Sequence, residues 1–396
     1  MNSGSNEVWT YTIQPGTGRL SLSARDEVRA RLAPQGVAFT AGSSPVTYTP
    51  KFAFVTGNTN YTVDASSGVL TPIPSTTTIG GRFVAVDPTN RFAYVASGGN
   101  DVLGYTIDST TGALTPITGS PFAAGRGTQS VAVDPSGRFA HVTNFLDNSV
   151  SGYIIDSTTG ALAPVSGSPF TAGFPASVAV DPTGRFAYVT NLAKGSVFGY
   201  TISPSTGALT VIPGSPFAAG APPCSELLPS GCDHFSSVGV DPTGRFAYVA
   251  NRGANAVSGY IIDATTGALK PITGSPFATG TTATSVAVDP SGEFAYVGVS
   301  GYTINANTGA LTLVTGSPFA SVVGESNMVD PSGKFVYTVD YWDGSPMMGD
   351  VYGNTIDAAT GALTPIPGSP FTPVPPGSCS GACFFSTSMA VSGEIH

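Results

Sequence analysis

Residues 178–217 read VAVDPTGRFAYVTNLAKGSVFGYTISPSTGALTVIPGSPF. Short β-rich runs at 178–180, 186–190, 197–202 and 209–212 alternate with turn signals, the pattern of four successive strands. In Asp181-Pro182-Thr183-Gly184 the proline fixes φ, the glycine takes a left-handed position and the aspartate bonds local backbone, so the chain reverses tightly. Ser205-Thr206-Gly207-Ala208 reverses it again between the third and fourth runs. Four antiparallel strands in a repeating unit of roughly 40–50 residues make one blade of a β-propeller.

The T/S-G-x-L turn recurs eight times, with its glycine at Gly18, Gly68, Gly112, Gly160, Gly207, Gly267, Gly309 and Gly361. Spacings run from 42 to 60 residues, and the step from Gly361 through the C-terminus to Gly18 is 53. A closing step of ordinary length predicts a ring. The expectation is an all-β, closed β-propeller of eight four-stranded blades, one domain over residues 1–396. Its last blade should be shared by both termini: residues 389–394 (MAVSGE) repeat the VAVDPSGE opening of 286–293, and residues 7–22 supply third and fourth strands. Sharing a blade in this way removes exposed sheet edges. The first full unit is degraded, since VTYTPKFAF at 46–54 keeps the strand pattern and loses Asp-Pro-x-Gly.

Composition agrees. Gly 50 and Pro 33 are far too many for a helical protein, while 41% apolar residues are too many for a disordered one. A net charge of −9 with no basic face excludes the electrostatic footprint of a nucleic-acid or anionic-lipid binder. No run approaches the ~18 apolar residues of a membrane span. Met1 is followed by Asn2, Ser3 and Gly4, which is not the start of a signal peptide.

Tyr188-Val189-Thr190-Asn191, with its variants His141-Val142-Thr143-Asn144 and Tyr248-Val249-Ala250-Asn251, and the TGALTPI and GSPF segments carry a resemblance. The chain resembles the lactonase-type β-propeller family and its YVTN-repeat relatives over nearly its whole length. The resemblance implies a propeller, usually of seven blades. It also implies that members with activity use a few polar and basic side chains converging on the central channel.

Repetition separates scaffold from candidates. Asp87, Asp134, Asp181, Asp241, Asp289 and Asp330 belong to the first turn, and Asp64, Asp108, Asp156, Asp263 and Asp357 precede the second. A catalytic carboxylate need occur only once, so these read as turn formers. Arg91, Arg138, Arg185 and Arg245 close the first turn and are expected to pair with its aspartate. The GSPF phenylalanines (Phe122, Phe170, Phe217, Phe277, Phe319, Phe371) are expected to plug the crevices between blades. Both turns lie on one face of the disc. Every large irregularity falls in the connections of the other face, at 21–44, 224–234, 340–352 and 375–385. Binding residues favour loops over a rigid scaffold. Arg25, Asp26, Glu27, Arg29 and Arg31, with Tyr341 and Trp342, are therefore the expected partner-binding residues.

Cys224/Cys232 and Cys379/Cys383 each fall inside one Pro-rich loop. Two local disulfides in an oxidising compartment are the simplest reading. A zinc site joining the two loops, and free thiols, stay open. Of three histidines, His141 replaces the tyrosine of a second strand and reads as packing, His234 lies at a loop tip, and His396 is terminal. No nucleophile elbow, zincin, phosphate-loop or EF-hand pattern occurs, and Asn60-Tyr61-Thr62 is a lone sequon.

Two functions from different classes follow. The first is a secreted or cell-surface module without catalysis, cofactor or metal. It would bind a protein or glycan at its loop-rich face, with self-association, closed or filamentous, compatible with the ring. The second is a lactonase-like hydrolase of a small lactone or ester, for which Arg126 and Arg252, with Glu325 or Asp340 as carboxylate partner, are the candidates. The sequence leans toward the first, in an extracellular, cell-surface or periplasmic setting.

Overall fold

The turn at 181–184 folds as its residues dictate. Asp181 Oδ1 accepts the backbone N–H groups of Arg185 (2.8 Å) and Phe186 (2.7 Å), and Oδ2 accepts the N–H and hydroxyl of Thr183. One buried carboxylate thus satisfies the donors that the reversal exposes. The second strand that follows, Phe186–Asn191, is buried along its whole length and pairs with Ser196–Ile202, which pairs with Leu209–Val211. The inner strand is Pro175–Val180. Phe217–Ala218, from GSPF, adds a short pairing to the third strand, and Ser215 Oγ accepts the N–H of Gly199 there.

The computed structural model describes residues 8–13, 20–26, 48–57, 59–73, 79–220, 237–280, 283–319, 326–339, 350–372 and 388–395. The chain divides into two compact units, Met1–Thr49 with Gly393–His396, and Pro50–Ser392. The first contains a two-stranded antiparallel sheet, Val8–Ile13 with Leu20–Asp26.

The second unit is built on seven blade sheets, not eight. Blade 1 takes the order Met389–Ile395, Tyr48–Val55, Tyr61–Val63, Leu70–Pro72. Inner strands of blades 2 to 7 are Phe83–Val86, Thr128–Val133, Pro175–Val180, Val238–Val240, Val286–Val288 and Ser326–Val329. The C-terminal strand does complete a blade, as expected, but with strands from 48–72. Among the described residues, the N-terminal strands Val8–Ile13 and Leu20–Asp26 pair with each other in a sheet of their own. Counting turns overcounted blades because the first repeat of the motif lies between two strands that form a separate two-stranded sheet.

Neighbouring blades are fastened alike. The tyrosine of the second strand donates its hydroxyl to the turn glycine carbonyl of the next blade: Tyr94 to Gly160 (2.7 Å), Tyr188 to Gly267 (2.8 Å), Tyr248 to Gly309 (2.8 Å), Tyr296 to Gly361 (2.9 Å) and Tyr337 to Gly68 (2.7 Å). Beside each tyrosine, a phenylalanine packs on the same glycine. A Cβ on Gly68 would lie 2.5 Å from the Phe335 ring, so that residue must be glycine for close approach as well as for its φ of +74°. The Phe335–Gly68 contact joins blade 7 to blade 1 and closes the ring.

The first-turn arginines do something other than pair with their aspartates. The aspartate takes the arginine's backbone N–H, while the guanidinium lies over the adjacent phenylalanine and donates to the next blade's second turn. Arg185 covers Phe186 at 4.9 Å and donates to Ala264 O at 2.7 Å. The carboxylate is already filled by turn donors, which leaves the cation for the seam. The GSPF phenylalanines stand on the third-strand glycine of their own blade, and at four of them the carbonyl after the Phe accepts the next blade's third-strand tyrosine, as in Tyr153 to Ala123 (2.7 Å). They do line the crevice.

Candidate functional site

The faces of the ring differ. On the turn face the repeated aspartates are filled by turn donors and the first-turn arginines donate across the seams, as at Asp181 and Arg185. The opposite face carries the links between blades and the loops joining second to third strands, and there the repeat breaks down.

Inner strands open on this loop face with a serine in six blades: Ser388, Ser130, Ser177, Ser237, Ser285 and Ser326, with Phe83 in blade 2. At five seams the serine Oγ accepts the N–H one residue further along the next inner strand: Val84 (3.4 Å), Val178 (3.4 Å), Val238 (3.5 Å), Val286 (3.4 Å) and Asn327 (3.2 Å). This common register sets the residues just before the serines at one level around the mouth of the channel. Below them the inner strands carry small and apolar residues: Ala132-Val133, Ala179-Val180, Gly239-Val240 and Ala287-Val288.

The position before the serine is the one that varies. It is Arg82, Gln129, Ala176 and Thr284 among the described residues. Two of these side chains hold buried polar atoms without a hydrogen-bond partner, Gln129 Oε1 and Thr284 Oγ1. Orphaned buried polar atoms are rare and call for an explanation such as a bound polar group. Arg82 is exposed and runs along Gly98, whose Cβ position is 3.2 Å from its Nε. By sequence, Glu325 occupies the same position before Ser326; its structure lies outside the described residues.

The loop face also carries an acid, Asp350, at a third strand and not at an inner one. It precedes the third strand of blade 7, Val351–Ile356, at the end of the enlarged loop, and is half-buried. Burial raises its carboxyl above the ordinary aspartate range. It is the one described aspartate or glutamate shifted upward, and its charge in turn acts on Tyr61. A partly desolvated carboxyl is the state a general acid or base needs.

The other expected residues are scattered. Arg126 is tied to Asp147, its Nε and backbone N each 2.7 Å from a carboxylate oxygen, with the guanidinium largely exposed. Beside it Leu146 is 59% exposed, and Phe145 meets Phe174 edge to face at 5.6 Å. Arg252 opens the short 3-10 turn Arg252–Ala254 in blade 5, two blades from Arg126. Arg25 and Asp26 end the strand Leu20–Asp26. Glu27, Arg29, Arg31, Asp340, Tyr341 and Trp342 lie outside the described residues, as do Cys224, Cys232, Cys379 and Cys383. His141 is a buried seam residue, as its place in the repeat implied. Among the described residues no group of three or more His, Cys, Asp or Glu is placed to hold a metal ion, and no helix is long and apolar enough to cross a membrane.

Repeat arithmetic passed over Arg82, Gln129 and Thr284 because it subtracts constant positions without asking which register varies between them. The signal was in the letters: the residue before S-V-x-V changes from blade to blade.

The sequence matches the family model of the lactonase, 7-bladed beta-propeller, over residues 82–231 and 226–318, together more than half of the chain. No curated protein sequence matches it. Among solved structures it is similar to two candidate 6-phosphogluconolactonases. That of Bacteroides uniformis has 15% identity, TM-score 0.67 and coverage of 87% of this chain and 100% of the other. That of Bacteroides fragilis has 17% identity, TM-score 0.66 and coverage of 90% and 100%. A periplasmic gluconolactonase of Pseudomonas aeruginosa has 16% identity, TM-score 0.59 and coverage of 79% and 94%. At these identities the likeness is one of fold.

Proposed function

The chain belongs to the lactonase, seven-bladed β-propeller family, and from that membership we propose that it hydrolyses a small lactone or ester at the loop face of its channel. The family match is the observation that carries this reading, and it moves the weight away from a binding module without catalysis. The fold neighbours named as lactone hydrolases support the substrate class.

The chemistry asks for little machinery. Water adds to the ring carbonyl carbon, a base takes its proton, the C–O ring bond breaks, and the departing oxygen receives a proton. Asp350 has the tuned carboxyl for the proton steps. Arg82 is the arginine at the level of the channel mouth suited to a developing oxyanion. Gln129 and Thr284 would take the polar edge of the ring substituents, which gives their orphaned atoms partners. Arg126, Arg252, Glu325 and Asp340 stand behind these, Arg126 because its Nε is already committed to Asp147. A periplasmic setting goes with the proposal, the one named for the Pseudomonas protein.

The test is a proton-release assay on γ- and δ-lactones, phosphorylated and not, and on aryl esters. The expected result is turnover above the spontaneous rate that falls at least ~100-fold in Asp350→Asn, the usual scale for losing a general acid or base. Wild-type rates equal to the spontaneous rate on the whole panel would return the protein to the class of binding modules.

A further inference from the structure

Six seams of the ring carry a polar latch from the second strand to the next blade's turn, and at one of them the donor is not tyrosine. Between blades 3 and 4, His141 Nε2 lies 3.0 Å from Gly207 O. The acceptor is a carbonyl, so Nε2 carries the hydrogen and the basic lone pair is on Nδ1. The ring is fully buried, and Nδ1 has no hydrogen-bond partner.

The same seam departs from the repeat a second time. The turn that His141 reaches has Ser203 where five other blades place an aspartate and blade 6 an asparagine. The turn at 203–208 therefore brings no carboxylate to the imidazole. From its own blade, Asp134 acts on it, but that carboxylate is filled by the N–H groups of Ser136, Arg138 and Phe139. Arg138, a cation, donates to Pro204 O in the same opposing turn at 2.8 Å. Its register partner Ala132 and the adjacent Gly152 are uncharged.

We propose that His141 makes the seam between blades 3 and 4 an acid-released latch, closed while the imidazole is neutral and unfastened when a proton enters at Nδ1. The added proton would create a buried N–H without an acceptor and a positive charge on a fully buried ring. Burial accordingly holds the histidine below its ordinary value of 6.5. The sign follows: in the opened seam the ring titrates as in water, so as pH falls below about 6.5 protons favour the open form. Tyrosine seams do not titrate in that range.

Hydrogen exchange reads this directly. The Val178 amide bonds across the histidine seam to Ser130 Oγ, and the Val286 amide bonds across the Tyr248 seam to Ser237 Oγ. Both valines stand in Ser-Val-Ala, so their intrinsic exchange rates match at any pH and cancel in the ratio. The ratio of Val178 to Val286 exchange should rise as pH falls from 7.5 to 5.0, by up to about tenfold per pH unit below about 6.5. It should stay flat in His141→Tyr and in His141→Gln, which keeps a donor without the titration. A flat wild-type ratio, or the same rise in either variant, overturns the proposal, and the wild-type measurement decides it even if the variants fold poorly.

Discussion

Asp350 is set against itself, because the burial that suits its carboxyl to proton transfer also makes its charge costly. Its folded pKa is raised, so its contribution to stability is fully present below the unfolded value near 3.9 and is lost as pH rises through the folded value. Asp350→Asn should therefore melt higher than wild type at pH 7 and equal it near pH 3, while activity falls. Paired thermal melts at the two pH values check this, and a lower melting temperature at pH 7 would show that the carboxylate is a structural partner instead. Loss of a tyrosine latch lowers stability instead. Tyr188→Phe leaves Gly267 O without its 2.8 Å donor in a buried seam and should cost about 1 kcal/mol in chemical denaturation.

At the scale of the element, the second turn shows why one letter was so informative. Asp156 Oδ1 accepts the backbone N–H and hydroxyl of Thr159 and the N–H of Thr158. These bonds to Thr159 and Thr158 hold its carboxyl below the usual range, and hydrogen bonds within the turn do the same for Asp64, Asp108, Asp263 and Asp357. Folded values are depressed, so this stability is present above the unfolded value near 3.9 and is lost as pH falls through the folded values. Blade 6 has Asn305 in the same role, accepting Asn307 and Thr308 N–H at 3.0 Å. Replacing Asp108 and Asp156 by asparagine should leave stability at neutral pH close to wild type and flatten its fall as pH drops below about 4. The turn, the strand pattern and the GSPF crevice were legible because local chemistry decides them. The blade count was not, because the turn glycine says nothing about what packs on it. The phenylalanine that does so heads Phe52-Ala53-Phe54, Phe92-Ala93-Tyr94 and their equivalents at Phe139, Phe186, Phe246, Phe294 and Phe335, which occur seven times. The site was least legible, since Gln129, Thr284 and Asp350 matter through burial and register, neither of which one residue's letter displays.

For the whole molecule, closure rests on two joints. Phe335 and Tyr337 of blade 7 meet Gly68 of blade 1, and within blade 1 Thr56 N donates to Ser388 O at 3.0 Å. Gly68→Ala forces a left-handed alanine and a clash with Phe335, and should cost about 2–4 kcal/mol in a calorimetric scan. The most direct test of the seven-bladed ring compares two deletions by calorimetric unfolding. Removing residues 388–396 takes away the inner strand of blade 1, and the account predicts loss of the cooperative transition. Removing residues 1–44 takes away the strands Val8–Ile13 and Leu20–Asp26, which belong to none of the seven blade sheets among the described residues, and the transition should survive near its wild-type temperature. Equal damage from the two deletions would contradict the account, since that is how an eight-bladed ring with its last blade built from both termini would behave.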